Sequence, residues 1–326
     1  MSLTLPWRTI GHERQKQELE DNLKEKNLAH AYLFSGPEHI GKLHLAKEMA
    51  HALLCEKNMC RTCKACRQIE NLTHPDFLIL DMLYIKGVQE SWEEIAKHSN
   101  TPQSHRASGT GVKSNTIGIG GIRAIQKLLQ EKPLGKYKIC IISNIERLNI
   151  EAANAFLKSV EEPPKGTIFL FTSSRESQIL PTLISRVRMI RFNLLHDDLI
   201  LKQLTSSTSN EILEYAQGRI GIAMELDKNL EKFQKVKSSY SNIHEVFHSM
   251  NTVKRFALAA KLSENIEELY NFIEHSLFYL RSQLHSKNKK VAKLIEKLEE
   301  TQELIGKNVN KRLALENFFL EIDNLN

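Results

Sequence analysis

Ala31-Tyr32-Leu33-Phe34-Ser35-Gly36-Pro37-Glu38-His39-Ile40-Gly41-Lys42-Leu43 is the stretch that decides the fold of this chain. Its first four residues are an unbroken apolar run of strand length, closed by a glycine loop. Beyond Gly41 a helical pattern continues to Leu54. Strand, glycine loop and helix together open an α/β unit. Short apolar runs recur at 77–80, 138–142, 167–171 and 189–192. Helical patterns lie at 12–25, at 122–131 before Pro133, and at 151–161, where Asn149 is the expected cap and Pro163-Pro164 the stop. Apolar runs of four or five residues alternating with helices predict a parallel sheet covered on both faces.

After Phe192 the strand signals cease. Residues 197–229 predict two or three short helices broken at Gly218 and Gly221, and the pattern is helical from 233 onward. Ile273, Leu277, Leu280 and Leu284 recur at helical spacing, as do Val291, Leu294 and Leu298. The expected organisation is an α/β domain over 1–193, a small helical domain over 194–232 and a helical domain over 233–326. Residues 82–115 are polar and read as an irregular insertion. No internal repeat is evident.

Composition agrees with this reading. Fourteen Gly and eight Pro in 326 residues make about 7%, against roughly 12% in an average soluble protein, which favours helices over a sandwich or barrel. A hydrophobic fraction of 41% with 26% charged residues excludes wholesale disorder. Net charge is +6, from 45 basic and 39 acidic residues. That is mild, and fits work beside nucleic acid as well as ordinary solubility. The basic run 287–293 reads first as a solvated helix start and second as a nucleic-acid contact. With no secretory apolar region after Met1 and no run long enough for a bilayer, a soluble, cytoplasmic protein is expected.

Gly36-x4-Gly41-Lys42 matches most of a phosphate-cradling loop. Glycines let backbone N–H groups approach phosphates, the helix N-terminus favours an anion, and a lysine reaches the outer phosphates. The next position should offer a magnesium-binding hydroxyl, and this chain has Leu43. The acidic pair expected after the strand 138–142 is replaced by Ser143-Asn144. Glu146 is close in sequence but is expected to face elsewhere. A carboxylate to orient water is missing too, so the loop is expected to hold nucleotide at most, without cleaving it.

Five cysteines are present, four of them as Cys55-x4-Cys60-x2-Cys63-x2-Cys66. Two overlapping C-x2-C steps let consecutive thiolates face one tetrahedral ion. Structural zinc is the leading reading, with an iron–sulfur cluster and four unligated thiols as alternatives. Four filled positions leave no open site for catalysis. Cys140 lies mid-strand and reads as a core residue.

Several runs carry a family resemblance: Asn27-Leu28-Ala29-His30-Ala31-Tyr32-Leu33-Phe34-Ser35-Gly36, the four cysteines, His74-Pro75-Asp76 and Ile117-Gly118-Ile119-Gly120-Gly121-Ile122-Arg123. The most specific is Ala152-Ala153-Asn154-Ala155-Phe156-Leu157-Lys158-Ser159-Val160-Glu161-Glu162-Pro163-Pro164, followed by Leu180-Pro181-Thr182-Leu183-Ile184-Ser185-Arg186. Over residues 1 to about 225 the chain resembles the bacterial clamp-loader subunits of DNA polymerase III.

That resemblance implies an AAA+ P-loop domain with a small zinc-binding insertion near 55–66, a helical lid and an all-helical collar used in oligomerisation. Two kinds of relative compete. Gamma/tau is the ATPase motor; delta-prime is commonly degenerate at the magnesium positions, as Leu43, Ser143 and Asn144 are here. The resemblance also implies that Arg186 projects into a neighbour's ATP site as an arginine finger, in a motif reading Ser185-Arg186-Val187 where the family has Cys last. Thr172 and Ser173 fall at the family's first phosphate sensor, and the second sensor arginine would fall at Gly221 or Ile222.

The expectation is therefore a non-hydrolysing delta-prime-type subunit, without intrinsic ATPase but belonging to a nucleotidyltransferase holoenzyme. Its site residues would be Arg186 in trans, Gly36, Gly41 and Lys42 in the degenerate loop, Thr172 as a sensor, and Cys55, Cys60, Cys63 and Cys66 on zinc. Nucleotide is left open and magnesium is not expected. Partners would be gamma/tau and delta subunits and, transiently, the sliding clamp and primer-template DNA. The alternatives are an active gamma/tau-type ATPase and an unrelated zinc-bearing DNA-binding module.

Overall fold

A computed structural model describes residues 5–25, 27–80, 117–283, 289–306 and 309–325. The expected insertion over 82–115 and the apolar position Leu284 lie outside the described residues. The chain divides into two compact units: Met1–Leu199 with Arg219–Gly221, and Ile200–Gly218 with Ile222–Asn326.

The first unit is built on five parallel strands: β1 (Ala31–Ser35), β2 (Phe77–Leu80), β3 (Lys138–Ile142), β4 (Thr167–Ser173) and β5 (Arg188–Arg191), in the order β2-β3-β4-β1-β5. Its helices are α1 (Glu13–Lys24), α2 (Lys42–Leu54), α3 (Lys64–Glu70), α4 (Ile119–Leu129), α5 (Ile150–Glu161) and the short α6 (Pro181–Ile184).

Strand side chains alternate between two cores, as a two-residue period requires. Ala31, Leu33, Cys140, Ile142, Phe169 and Phe171 join α4, α5 and α6 on one face. Tyr32, Phe34, Ile139, Ile141, Ile168 and Leu170 join α1, α2 and α3 on the other. A run buried on both sides has no polar face, so these strands show no apolar–polar alternation in sequence.

Polar side chains fix the connections. Asn149 caps α5 by accepting from Ala152 N at 2.7 Å. Asp76 is buried and accepts from Leu134 N and Gly135 N, anchoring the turn before β3. Lys138, buried at the start of β3, donates to the Leu128 and Glu131 carbonyls at the end of α4. α1 lies along the edge strand, where Gln15 donates to Arg191 O and Arg188 pairs with Glu18.

The second unit is helical. After α7 (Asp197–Leu201) come α8 (Ser209–Ala216), α9 (Ile220–Lys228), α10 (Leu230–His248), α11 (Thr252–Glu264), α12 (Ile266–Ser282), α13 (Lys289–Gly306) and α14 (Lys311–Leu325). Ile273, Leu277, Leu280, Leu294 and Leu298 are buried in one cluster with α10, α11 and α14, as their spacing predicts. Buried Arg255 ties that cluster together, donating to Val246 O and pairing with Asp323. One expectation fails here: Gly218 does precede a helix start, with a positive φ, but Gly221 lies inside α9. Among the described residues no helix is long and apolar enough to cross a membrane.

Candidate functional site

β1 delivers the chain into the glycine loop, and α2 leaves it. Gly36 has φ 149, and a Cβ there would lie 2.3 Å from Phe192 O, so only glycine lets the loop pass the end of β5. Lys42, the first residue of α2, is 7% exposed. Its ammonium folds back onto the loop, donating to Gly36 O at 2.7 Å and to Pro37 O. Burial pulls its pKa down to about 8, against the raising influence of Glu38 and Glu146 and with a further lowering from Arg219. His12 Nε2 meets Ile40 O at 2.8 Å and pins the loop's far side.

The positions that would hold magnesium are turned to packing. Leu43 packs against the apolar core on the α2 face of the sheet. Ser143 N donates to Leu80 O. Asn144 is left-handed, and its N–H donates to the Thr172 hydroxyl at 3.1 Å. Thr172 thus links the ends of β3 and β4, while the hydroxyl that reaches the loop is that of Ser174. Its Oγ donates to Glu146 Oε1 at 2.9 Å, and it also lies 3.2 Å from Glu38 Oε1.

At the other end of α2, four sulfurs converge. Cys55, Cys60, Cys63 and Cys66 place their Sγ atoms within 4.8 Å of one another, with Cys55 Sγ 3.7 Å from Cys60 and 3.8 Å from Cys63. Tetrahedral zinc with bonds near 2.3 Å spaces its sulfurs about 3.8 Å apart, so the set fits that ion. Lys57 N and Cys66 N point at the sulfurs of Cys55 and Cys63, each at 3.4 Å. Asn58, Met59 and Arg61 take positive φ values to fold the loop inward. Backbone donors at Thr62 and Cys63 hold the Cys60 thiol down at about 6, whereas burial pushes that of Cys66 up. Cys140 is fully buried in β3, and its thiol is pushed up to about 12.

Glu48 of α2 seats the cysteine loop. It is 1% exposed, pairs with Arg61, and accepts from Arg8 N, Thr9 N and the Thr9 hydroxyl at 2.7, 2.9 and 2.6 Å. Those donors keep its carboxyl below its ordinary value despite the opposing effect of burial.

Arg186 lies just beyond α6, on a turn, with about a third of its side chain exposed. Nη1 donates to Thr182 O at 2.6 Å and Ser185 Oγ at 3.1 Å, and Nη2 pairs with Glu161. The sequence-singled residues therefore fall into three places: the loop with its acidic rim, the four thiols, and the turn carrying Arg186. A family model for the DNA polymerase III delta subunit matches residues 11–196, more than half of the chain. This chain belongs to that family.

Curated relatives carry related names. The DNA polymerase III subunit delta' of Bacillus subtilis (strain 168) is 26% identical over 259 residues, 76% of this chain and 68% of that protein. The Pseudomonas aeruginosa subunit delta' is 35% identical over 162 residues, 48% of this chain and 41% of the relative. The B. subtilis subunit tau is 29% identical over 218 residues, 65% of this chain but 33% of tau. The chain thus spans between a third and about two thirds of the length of these relatives.

Within this delta-family domain, two features depart from the sequence reading. Glu146 does not face elsewhere: the 3-10 turn Ile145–Arg147, entered through left-handed Asn144, swings it to Ser174 at the rim of the loop. Its Oε2 is buried without a hydrogen-bond partner among the described residues. Gly221, read as a helix break and as a vacant sensor position, instead donates its N–H to His39 O at 2.7 Å. A Cβ there would stand 2.7 Å from the same oxygen. That contact carries Arg219 close enough to Lys42 for its charge to be felt. The nearby Gly218-Arg219 pair was the available signal, two positions before the expected arginine.

Proposed function

We propose that this chain is a non-hydrolysing, delta-prime-type subunit of the replicative clamp loader. In this reading it lends Arg186 to the ATP site of a neighbouring motor subunit while the sliding clamp is loaded on primed DNA. The supporting observation is the state of its own loop, where Leu43 and Ser143 are turned to packing and two carboxylates rim a lysine already bonded to loop carbonyls. The hydroxyl and the acidic pair that such a loop uses for magnesium are replaced by Leu43 and Ser143-Asn144, and Glu38 and Glu146 set negative charge near where an outer phosphate would lie. Arg186, by contrast, sits on a partly exposed turn. A guanidinium there keeps its charge and presents planar donors to a transferred phosphoryl group.

In this reading the four cysteines hold one structural zinc, which supplies a cross-link and no chemistry. Partners are gamma/tau and delta subunits, with transient contact to the clamp and primer-template DNA, in the cytoplasm. A second reading, an active gamma/tau-type ATPase, draws on the similarity to tau and on the positive charge of Arg219, which is felt at Lys42.

ATP turnover separates them. The isolated chain, with and without primed DNA, should show none, and Lys42→Ala should change nothing. Arg186→Ala in the reconstituted assembly should lower turnover at the facing site by about 10³-fold or more while assembly persists. Turnover by the isolated chain that Lys42→Ala abolishes would establish the motor reading instead.

A further inference from the structure

We infer that Glu161 is a positioning residue for Arg186, a latch that keeps the arginine on its own subunit until a phosphate in the neighbouring site displaces the carboxylate. The inference rests on the arginine-finger reading above and concerns how that arginine is regulated.

Glu161 is the last residue of α5, and Arg186 follows α6, which packs against α5. A carboxylate at a helix C-terminus faces the negative end of the dipole, so it favours a cation beside it. Arg186 supplies that cation through Nη2. Its other terminal nitrogen is engaged by Thr182 O and Ser185 Oγ. Arginine grips phosphate most strongly through a pair of parallel N–H donors. Here the end-on pair, Nη1 with Nη2, is occupied by groups of its own chain: Thr182 O, Ser185 Oγ and the Glu161 carboxylate. The latched arginine must release Glu161 before that fork can close on a phosphoryl oxygen.

The latch is built to be weak. Arg186 and Glu161 are 35% and 42% exposed, so water screens their attraction. A phosphate carries more charge than a carboxylate and accepts both fork donors, so it competes effectively once the neighbouring site is formed. An exposed pair of this kind biases the arginine toward its own subunit by about two- to fivefold. The arginine would then be held back in the resting assembly and released when the clamp and DNA bring the neighbour's nucleotide within reach.

The test uses the reconstituted assembly with motor copies competent only at the site facing this chain. ATP turnover is measured without clamp and DNA and again with both at saturation, for wild type, Glu161→Gln, Arg186→Ala and the double variant. The latch requires Glu161→Gln to raise the resting rate two- to fivefold, to leave the stimulated rate unchanged, and to have no effect when Arg186 is already Ala. If Arg186→Ala collapses turnover but Glu161→Gln leaves the ratio of the two rates unaltered, the latch is wrong and the finger stands. If Glu161→Gln lowers both rates together, Glu161 supports the fold or orients the arginine, and the latch is again rejected. If Arg186→Ala is silent, the finger reading fails and takes the latch with it. Thermal unfolding of each variant shows whether the fold is intact.

Discussion

The two ends of α2 carry two loops with opposite fates. At the N-terminus, the glycine loop retains the backbone of a phosphate cradle, yet its polar groups are engaged by its own chain: Lys42 with Gly36 and Pro37 carbonyls, Glu38 and Glu146 with Ser174. At the C-terminus, four sulfurs face one another, at spacings near those of a single tetrahedral ion. One loop is a ligand set without its metal positions; the other is a complete set. A fold can therefore keep the shape of a site after losing its chemistry, whereas a metal knuckle needs every ligand for its shape.

The strongest way to break this contrast is at the sulfurs. With zinc as the proposed ion, the protein should carry one ion per chain, and Cys63→Ser should reduce that content and lower Tm by about 10 °C, because metal binding and folding of such a loop are one equilibrium. Cys140→Ala should leave the zinc content unchanged, since that thiol lies buried in β3. Metal analysis by mass spectrometry with calorimetry checks both, and full zinc retention in Cys63→Ser would remove the comparison altogether.

A smaller effect is expected at Gly221, which within the first unit donates to His39 O of the glycine loop. Gly221→Ala drives a Cβ against His39 O and should destabilise by about 1–3 kcal/mol. Gly120→Ala, in α4 with open space around it, should stabilise by up to about 1 kcal/mol. Urea unfolding of both variants tests the pair, and equal effects would mean that the loop contact has no energetic weight.

An effect of similar size, but confined to alkaline pH, is expected from Lys42. Its folded pKa, about 8, lies below its ordinary value of 10.5. Between those values the unfolded chain binds the extra proton, so stability should rise with pH through that window. Below pH 8 the penalty for burying the charge is fully present, and above the unfolded value it is gone. Lys42→Met should flatten the rise by about 1–3 kcal/mol, measured as the difference between the two unfolding curves across pH 7–11. Curves that remain parallel would mean that Lys42 is solvated.

Much of this was legible in the sequence because it depends on local chemistry. The run Ala31–Ser35 ahead of a glycine loop, the Asn149 cap and the C-x2-C steps each declare themselves within a few residues. What stayed hidden depends on backbone turns or on distant partners. Glu146 reaches Ser174 through the turn entered at left-handed Asn144, a state that asparagine tolerates but does not dictate. The charge of Arg219 is felt at Lys42 beside a backbone contact that spans some 180 positions, from Gly221 to His39. Glu48 is buried under donors from residues 8 and 9 and from Arg61, partners that lie 13 to 40 positions away in the chain.

That last carboxylate has a practical consequence. Through Glu48 the four-cysteine loop is joined to the backbone at Arg8 and Thr9, immediately after Trp7, whose indole donates to Glu20 at 2.8 Å. Only one other tryptophan, Trp92, exists in the chain. If the four thiols hold the proposed zinc, chelation that loosens Arg61 should reach the ring's surroundings along this chain of bonds, and Trp7 emission should then change as the metal is withdrawn.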